Sequence, residues 1–160
     1  MKLPDNGVIV CLDSSILAWG IDARGRTEME CRMTDKAIAL LEVCRLRRLP
    51  LATSLVCFTE FLSIHSAELR EALTEITQND FALYPFDLPA AKLCAEIFYD
   101  NQSMLKSSYH GIRGILRPDL QIVASILTHC YSPFLVTGDG PLATWASKYL
   151  PASRLNELEL

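Results

Sequence analysis

Four acidic side chains stand out by where they fall in the chain. Asp13 closes the apolar run Val8-Ile-Val-Cys-Leu12, Glu60 follows a second apolar run, Leu51–Cys57, and Asp139 follows Phe134-Leu-Val-Thr137. Asp119 comes directly after Pro118, at the head of a segment rich in Ile, Val and Ala. Carboxylates brought together repel, and each resists ionisation unless a cation compensates. Mg²⁺ and Mn²⁺ suit that task, because they take carboxylate oxygens and retain waters that leave room for phosphate oxygens. Two such ions about 3.5–4 Å apart activate a water and stabilise the leaving oxygen of a phosphodiester. Plainer readings stand beside this one. Asp13 and Asp119 suit helix starts, Asp139-Gly140 suits a turn, and Glu60 suits the first turn of a helix, where the dipole favours an acid.

The elements that must position these acids follow from the apolar pattern. Val8–Leu12 reads as a buried strand, and Asp13-Ser14-Ser15 as the cap of a helix through Ile16, Leu17, Ala18 and Trp19. Gly20–Met33 mixes Gly, Arg, Asp and Glu without periodicity and reads as a loop, with Thr34 capping the next helix. Leu51–Cys57 is a second strand, followed by a helix from Phe58 or Thr59 that carries Glu60 in its first turn. Helix over 67–77, strand over 81–86, helix from Pro89 to Lys106, loop over 107–116 and helix from Pro118 to His129 come next. The chain closes with a strand over 134–137, a helix over 141–149 and an edge strand over 154–158. Strands alternating with helices predict an α/β fold: a single-domain α/β/α sandwich, Rossmann-like, with a central mostly parallel sheet spanning residues 1–160. Such sheets place their sites at the carboxyl ends of the strands, where Asp13, Glu60 and Asp139 all fall.

These four segments, in this order, resemble the motifs of PIN-domain nucleases. Val8–Leu12 with Asp13-Ser14-Ser15 is similar to the first motif, a hydrophobic strand ending in Asp-x-Asn/Ser. Leu51-Ala-Thr-Ser-Leu-Val-Cys-Phe-Thr-Glu60 is similar to the second, Arg117-Pro-Asp119-Leu-Gln-Ile-Val-Ala-Ser to the third, and Phe134-Leu-Val-Thr137-Gly-Asp139 to the fourth. The fourth motif departs from the family by having Gly140-Pro141-Leu142 where an aromatic often follows the Asp, and Gly20–Met33 has no counterpart motif. The resemblance implies a PIN-like fold and Mg²⁺- or Mn²⁺-dependent cleavage of RNA, with Asp13, Glu60, Asp119 and Asp139 as the metal carboxylates. It implies that Ser15 and Thr137 support them through hydrogen bonds. It also implies a homodimer and, as in VapC-like toxins of type II toxin–antitoxin pairs, a small antitoxin protein as partner. Arg117, two positions before Asp119, and Arg113, with Lys106 and His110 nearby, are candidates for contacts to a substrate phosphate.

Composition limits the alternatives. Half of the 160 residues are hydrophobic and 21% are charged, which excludes a disordered chain. The net charge of −4 argues against binding nucleic acid through bulk positive charge. Without the four acids above, the remaining acidic side chains equal the basic ones in number. The six cysteines lie far apart, with no CxxC or Cys/His chelate spacing, and read as packing residues in a reducing compartment. No secretion signal or membrane span is expected, which points to a cytoplasmic protein. Two other functions share the pattern. One is aspartyl-phosphate chemistry at Asp13, against which stand Asp-Ser-Ser in place of Asp-x-Asp and the lack of a following Lys. The other is a catalytically silent RNA-binding or protein-interaction scaffold.

Overall fold

Residues 1–4, 7–22, 27–101 and 116–160 are described by the structure, a computed structural model; the side chains of Leu116 and Arg117 are left aside. Its sheet has five strands: β1 (Ile9–Leu12), β2 (Leu51–Ser54), β3 (Phe81–Tyr84), β4 (Pro133–Thr137) and β5 (Ala152–Arg154). Every pairing is parallel, and the order across the sheet is β3-β2-β1-β4-β5. The order reverses between β1 and β4, and parallel sheets open a crevice at such a switch point. Asp13 leaves β1 there, and Gly138-Asp139 leave β4 beside it.

Side chains of a strand alternate between the two faces of its sheet, so a buried sheet carries two cores. Val10, Leu12, Phe134 and Val136 pack on one face with residues of α1 (Ser14–Gly20), α2 (Glu28–Arg47) and α3 (Leu55–Ser63). Ile9, Cys11 and Leu135 pack on the other with α5 (Leu88–Asp100), α6 (Leu116–His129) and α7 (Gly140–Ala146). Between them along the chain, α4 (Ala67–Asp80) leads into β3. The fold class is therefore α/β with helices on both faces of an all-parallel sheet. Cys11, Cys44, Cys57 and Cys130 are buried, consistent with packing as small hydrophobes, whereas Cys31 is exposed. Among the described residues, no helix is long and apolar enough to cross a membrane.

Several boundaries differ from the sequence expectation, each for a local reason. Helix α2 starts at Glu28, not after Thr34, because Thr27 and Glu30 form a reciprocal capping box. Helix α3 starts at Leu55, because the Ser54 hydroxyl accepts from the Cys57 N–H and ends the strand. Glu60 consequently lies in the body of α3 and not in its first turn. At the carboxyl end, the edge strand is Ala152–Arg154, and Leu155–Glu157 turns into a 3₁₀ helix. Helix α5 ends at Asp100, with Asn101 as its C-cap, short of the expected Lys106, and the expected loop over 107–116 falls largely outside the described residues.

Candidate functional site

Asp13 continues the alternation of Ile9 and Cys11, and Thr137 that of Leu135, so both point to the sheet face covered by α6. Asp13 is only 4% exposed. It caps α1 in the ordinary way, Oδ1 accepting from the Ile16 N–H at 3.0 Å. The same oxygen accepts from the Ser15 hydroxyl at 2.6 Å, and Oδ2 accepts from the Thr137 hydroxyl. Each hydroxyl is itself oriented by the loop after β4. The Gly138 N–H donates to Ser15 Oγ at 3.0 Å, and the Asp139 N–H to Thr137 Oγ1 at 2.9 Å. Ser15 and Thr137 thus tie the ends of β1 and β4 together across the switch point. Capping and site-building are the same contacts here.

The other three acids come from different elements. Glu60 reaches back from α3 and accepts from the Ser14 hydroxyl at 2.8 Å. Asp139 caps α7, Oδ1 accepting from the Leu142 N–H at 2.9 Å, and is exposed. Asp119, in the first turn of α6, has a buried Oδ2 with no hydrogen-bond partner. Burial pushes its carboxyl up to about 7, and the charges of Asp139, Glu60 and Asp13 add to the effect in that order. All four carboxylates therefore share one electrostatic neighbourhood. Burial also raises Asp13 above the usual carboxylate range, partly offset by hydrogen bonds from Ser15, Thr137 and the Ile16 and Gly138 N–H groups.

The donor set suits a hard divalent cation. It consists of carboxylates alone, and one buried carboxylate oxygen lacks any partner. Among the described residues no three His, Cys, Asp or Glu side chains form a ready cage for an ion. Mg²⁺ does not require one, since it typically takes one or two carboxylates and keeps its waters.

Three neighbours of the site carry no obvious signal in the sequence. Ser14 holds Glu60, which depends on the adjacency of β1 and β2. Cys57 lies behind the site, its thiol pushed up to about 12 by burial and by the charges of Asp13 and Glu60. At Gly138 an added Cβ would sit 2.6 Å from both Ser15 Oγ and the Trp19 ring. Gly138→Ala must displace one or the other, and a cost of about 1–3 kcal/mol is expected, read as a lower midpoint in thermal or urea unfolding. An unchanged midpoint would show that Trp19 gives way freely. Of the expected phosphate contacts, Arg113, Lys106 and His110 lie outside the described residues, and Arg117 is placed in α6 by its backbone alone.

No protein-family model and no curated protein matches this sequence. A chain of the crystal structure of VapBC2 from Rickettsia felis bound to a DNA fragment from their promoter does match in three dimensions. The TM-score is 0.61 at 16% sequence identity, over 91% of this chain and 98% of that one. The likeness spans nearly the full length of both chains, and the α/β fold of this protein, five parallel strands between two layers of helices, is a PIN-like fold.

Proposed function

We propose that this protein is a divalent-metal-dependent endoribonuclease, the toxin of a toxin–antitoxin pair. The observation that carries the reading is Asp119, whose unpartnered, buried Oδ2 sits in the field of Asp13, Glu60 and Asp139 at the switch point of the sheet. Asp13, Glu60, Asp119 and Asp139 would hold the ion. When bound, Mg²⁺ or Mn²⁺ supplies a polarised phosphoryl oxygen and a water acidic enough to attack at neutral pH. The chain's own contribution is orientation and charge. Ser15 and Thr137 fix the Asp13 carboxylate, Ser14 fixes Glu60, and the Leu142 N–H fixes Asp139. The raised Asp119 carboxyl would have to give up its proton to hold a cation, which would couple metal affinity to pH.

RNA as substrate, a small antitoxin as partner, a homodimeric state and a cytoplasmic location belong to the same reading. They are supported by the order of the four motifs and by the fold shared with a chain of VapBC2. The test is direct. Purified protein is incubated with single-stranded and structured RNAs in Mn²⁺, Mg²⁺ or EDTA, and the products are resolved on a gel. Cleavage with either ion and none in EDTA is the expected result. Intact RNA with both ions, in protein freed of any co-purifying partner by denaturation and refolding, overturns the reading.

A further inference from the structure

Beside Asp139 the chain opens a second polar feature that the four carboxylates do not use. A cleft of about 720 Å³ lies between α7 and β5, its wall including Gly140, Trp145, Lys148, Arg154 and Glu157. Arg154 on its wall pairs in register with Thr137, two residues before Asp139, so this end of the cleft lies beside the loop that carries that acid. Arg154 ends β5, and its guanidinium comes so close to Gly140 that a Cβ there would sit 3.3 Å from its Cζ and Nε.

Two residues of this wall each carry a buried nitrogen donor without an acceptor. Arg154 Nε is buried with no hydrogen-bond partner, and its Nη1 stands 3.6 Å from Glu157 Oε1, a long and partly exposed pair. The Trp145 indole is 5% exposed, and its Nε1 is also buried without a partner. Guanidinium and indole nitrogens only donate, so neither is satisfied by anything except an acceptor. Leaving buried donors unpaired is costly, and a partly exposed arginine whose ion pair with Glu157 is long is well matched to phosphate. Lys148 adds positive charge to the same wall.

We infer that this cleft is a subsite for a backbone phosphate of single-stranded RNA, bound by the partly exposed guanidinium of Arg154. This rests on the ribonuclease reading and deepens it. It gives an acidic protein a local basic contact beside the loop that carries Asp139. An acidic peptide would offer similar acceptors, but the register of Arg154 with Thr137, beside the loop that carries Asp139, favours the substrate.

The experiment measures binding separately from cleavage. Affinity for a fluorescent single-stranded RNA is determined by anisotropy for the wild type, Arg154→Gln, Arg154→Lys and Glu157→Gln, each in EDTA and in Mn²⁺ on short incubation. Arg154→Gln is expected to weaken binding about tenfold in both conditions, and to lower the slope of log affinity against log salt by about 0.7, the value for one phosphate contact on a single strand. Arg154→Lys is expected to restore the salt slope with only part of the affinity. Glu157→Gln is expected to strengthen binding, a gain that a purely structural Arg154 would not produce. Equal affinity and salt slope for wild type and Arg154→Gln overturn the subsite. Loss of binding to a glutamate-rich peptide with RNA binding intact overturns it as well. RNA held through Arg154 but never cut in Mn²⁺ refutes the ribonuclease reading and leaves the subsite standing. Cleavage with Arg154→Gln indistinguishable from wild type in binding does the reverse.

Discussion

Asp119→Asn is expected to abolish RNA cleavage and at the same time to stabilise the metal-free protein at neutral and alkaline pH. The two effects have one cause. An unconstrained Asp ionises at 3.8, whereas burial and the charges of Asp139, Glu60 and Asp13 raise Asp119 to about 7 in the folded chain. Between those values the unfolded state gives up a proton that the folded state keeps. Stability from this group is therefore complete below about pH 4 and is lost as pH rises through about 7. Asp13 is raised as well and acts in the same direction. The amide cannot ionise, so the variant escapes the loss due to residue 119. Partial burial lets solvent screen part of the effect, leaving on the order of 2 kcal/mol, or about 5 °C in melting temperature for a chain of this size. The gain should appear at pH 8 and vanish at pH 4. Mn²⁺ should raise the melting temperature of the wild type more than that of the variant, because the ion relieves the same repulsion. Cleavage should fall at least 10²-fold, as expected when one group of an electrostatic centre is removed. A variant that keeps its activity would remove Asp119 from the site, and one less stable than wild type at pH 8 would make it a structural acid.

At Asp13 the two obvious substitutions should separate. The carboxylate both caps α1 and receives the Ser15 and Thr137 hydroxyls. Asp13→Asn keeps an oxygen for the Ile16 N–H, so its cap survives, and the loss should be confined mainly to cleavage, again at least about 10²-fold. Asp13→Ala leaves the Ile16 N–H and two hydroxyls without their acceptor in a buried place, and should cost about 2–4 kcal/mol in addition. Urea unfolding of both variants beside an RNA cleavage assay checks this. Equal instability of the two would mean that the Thr137 and Ser15 contacts demand a charged acceptor. Full cleavage by Asp13→Asn would leave the residue as a cap alone.

The apolar runs and their punctuation were sufficient to identify most elements, because a buried parallel strand is an uninterrupted apolar segment and little else in a short chain looks like one. Where two structures share that appearance, the pattern misleads. Leu51–Cys57 reads as one strand, yet the Ser54 hydroxyl caps a helix inside it. The Thr27/Glu30 capping box was present in the sequence, but the charged, aperiodic stretch around it read as loop.

For the site, the kinds of residue and their order along the chain were written in the sequence, since carboxylates after strands are local features. The contacts between them are not local. Ser14 meets Glu60, and Thr137 meets Asp13, only because β1 lies between β2 and β4. Gly138 reads as an ordinary turn residue until Trp19 and Ser15 are packed against it. Arg154 sits far along the chain from Asp13, and only parallel pairing of β5 with β4 carries it to Gly140. Linear pattern is set by residue-by-residue chemistry. Proximity is set by which strands neighbour one another, and that depends on burying two apolar faces at once.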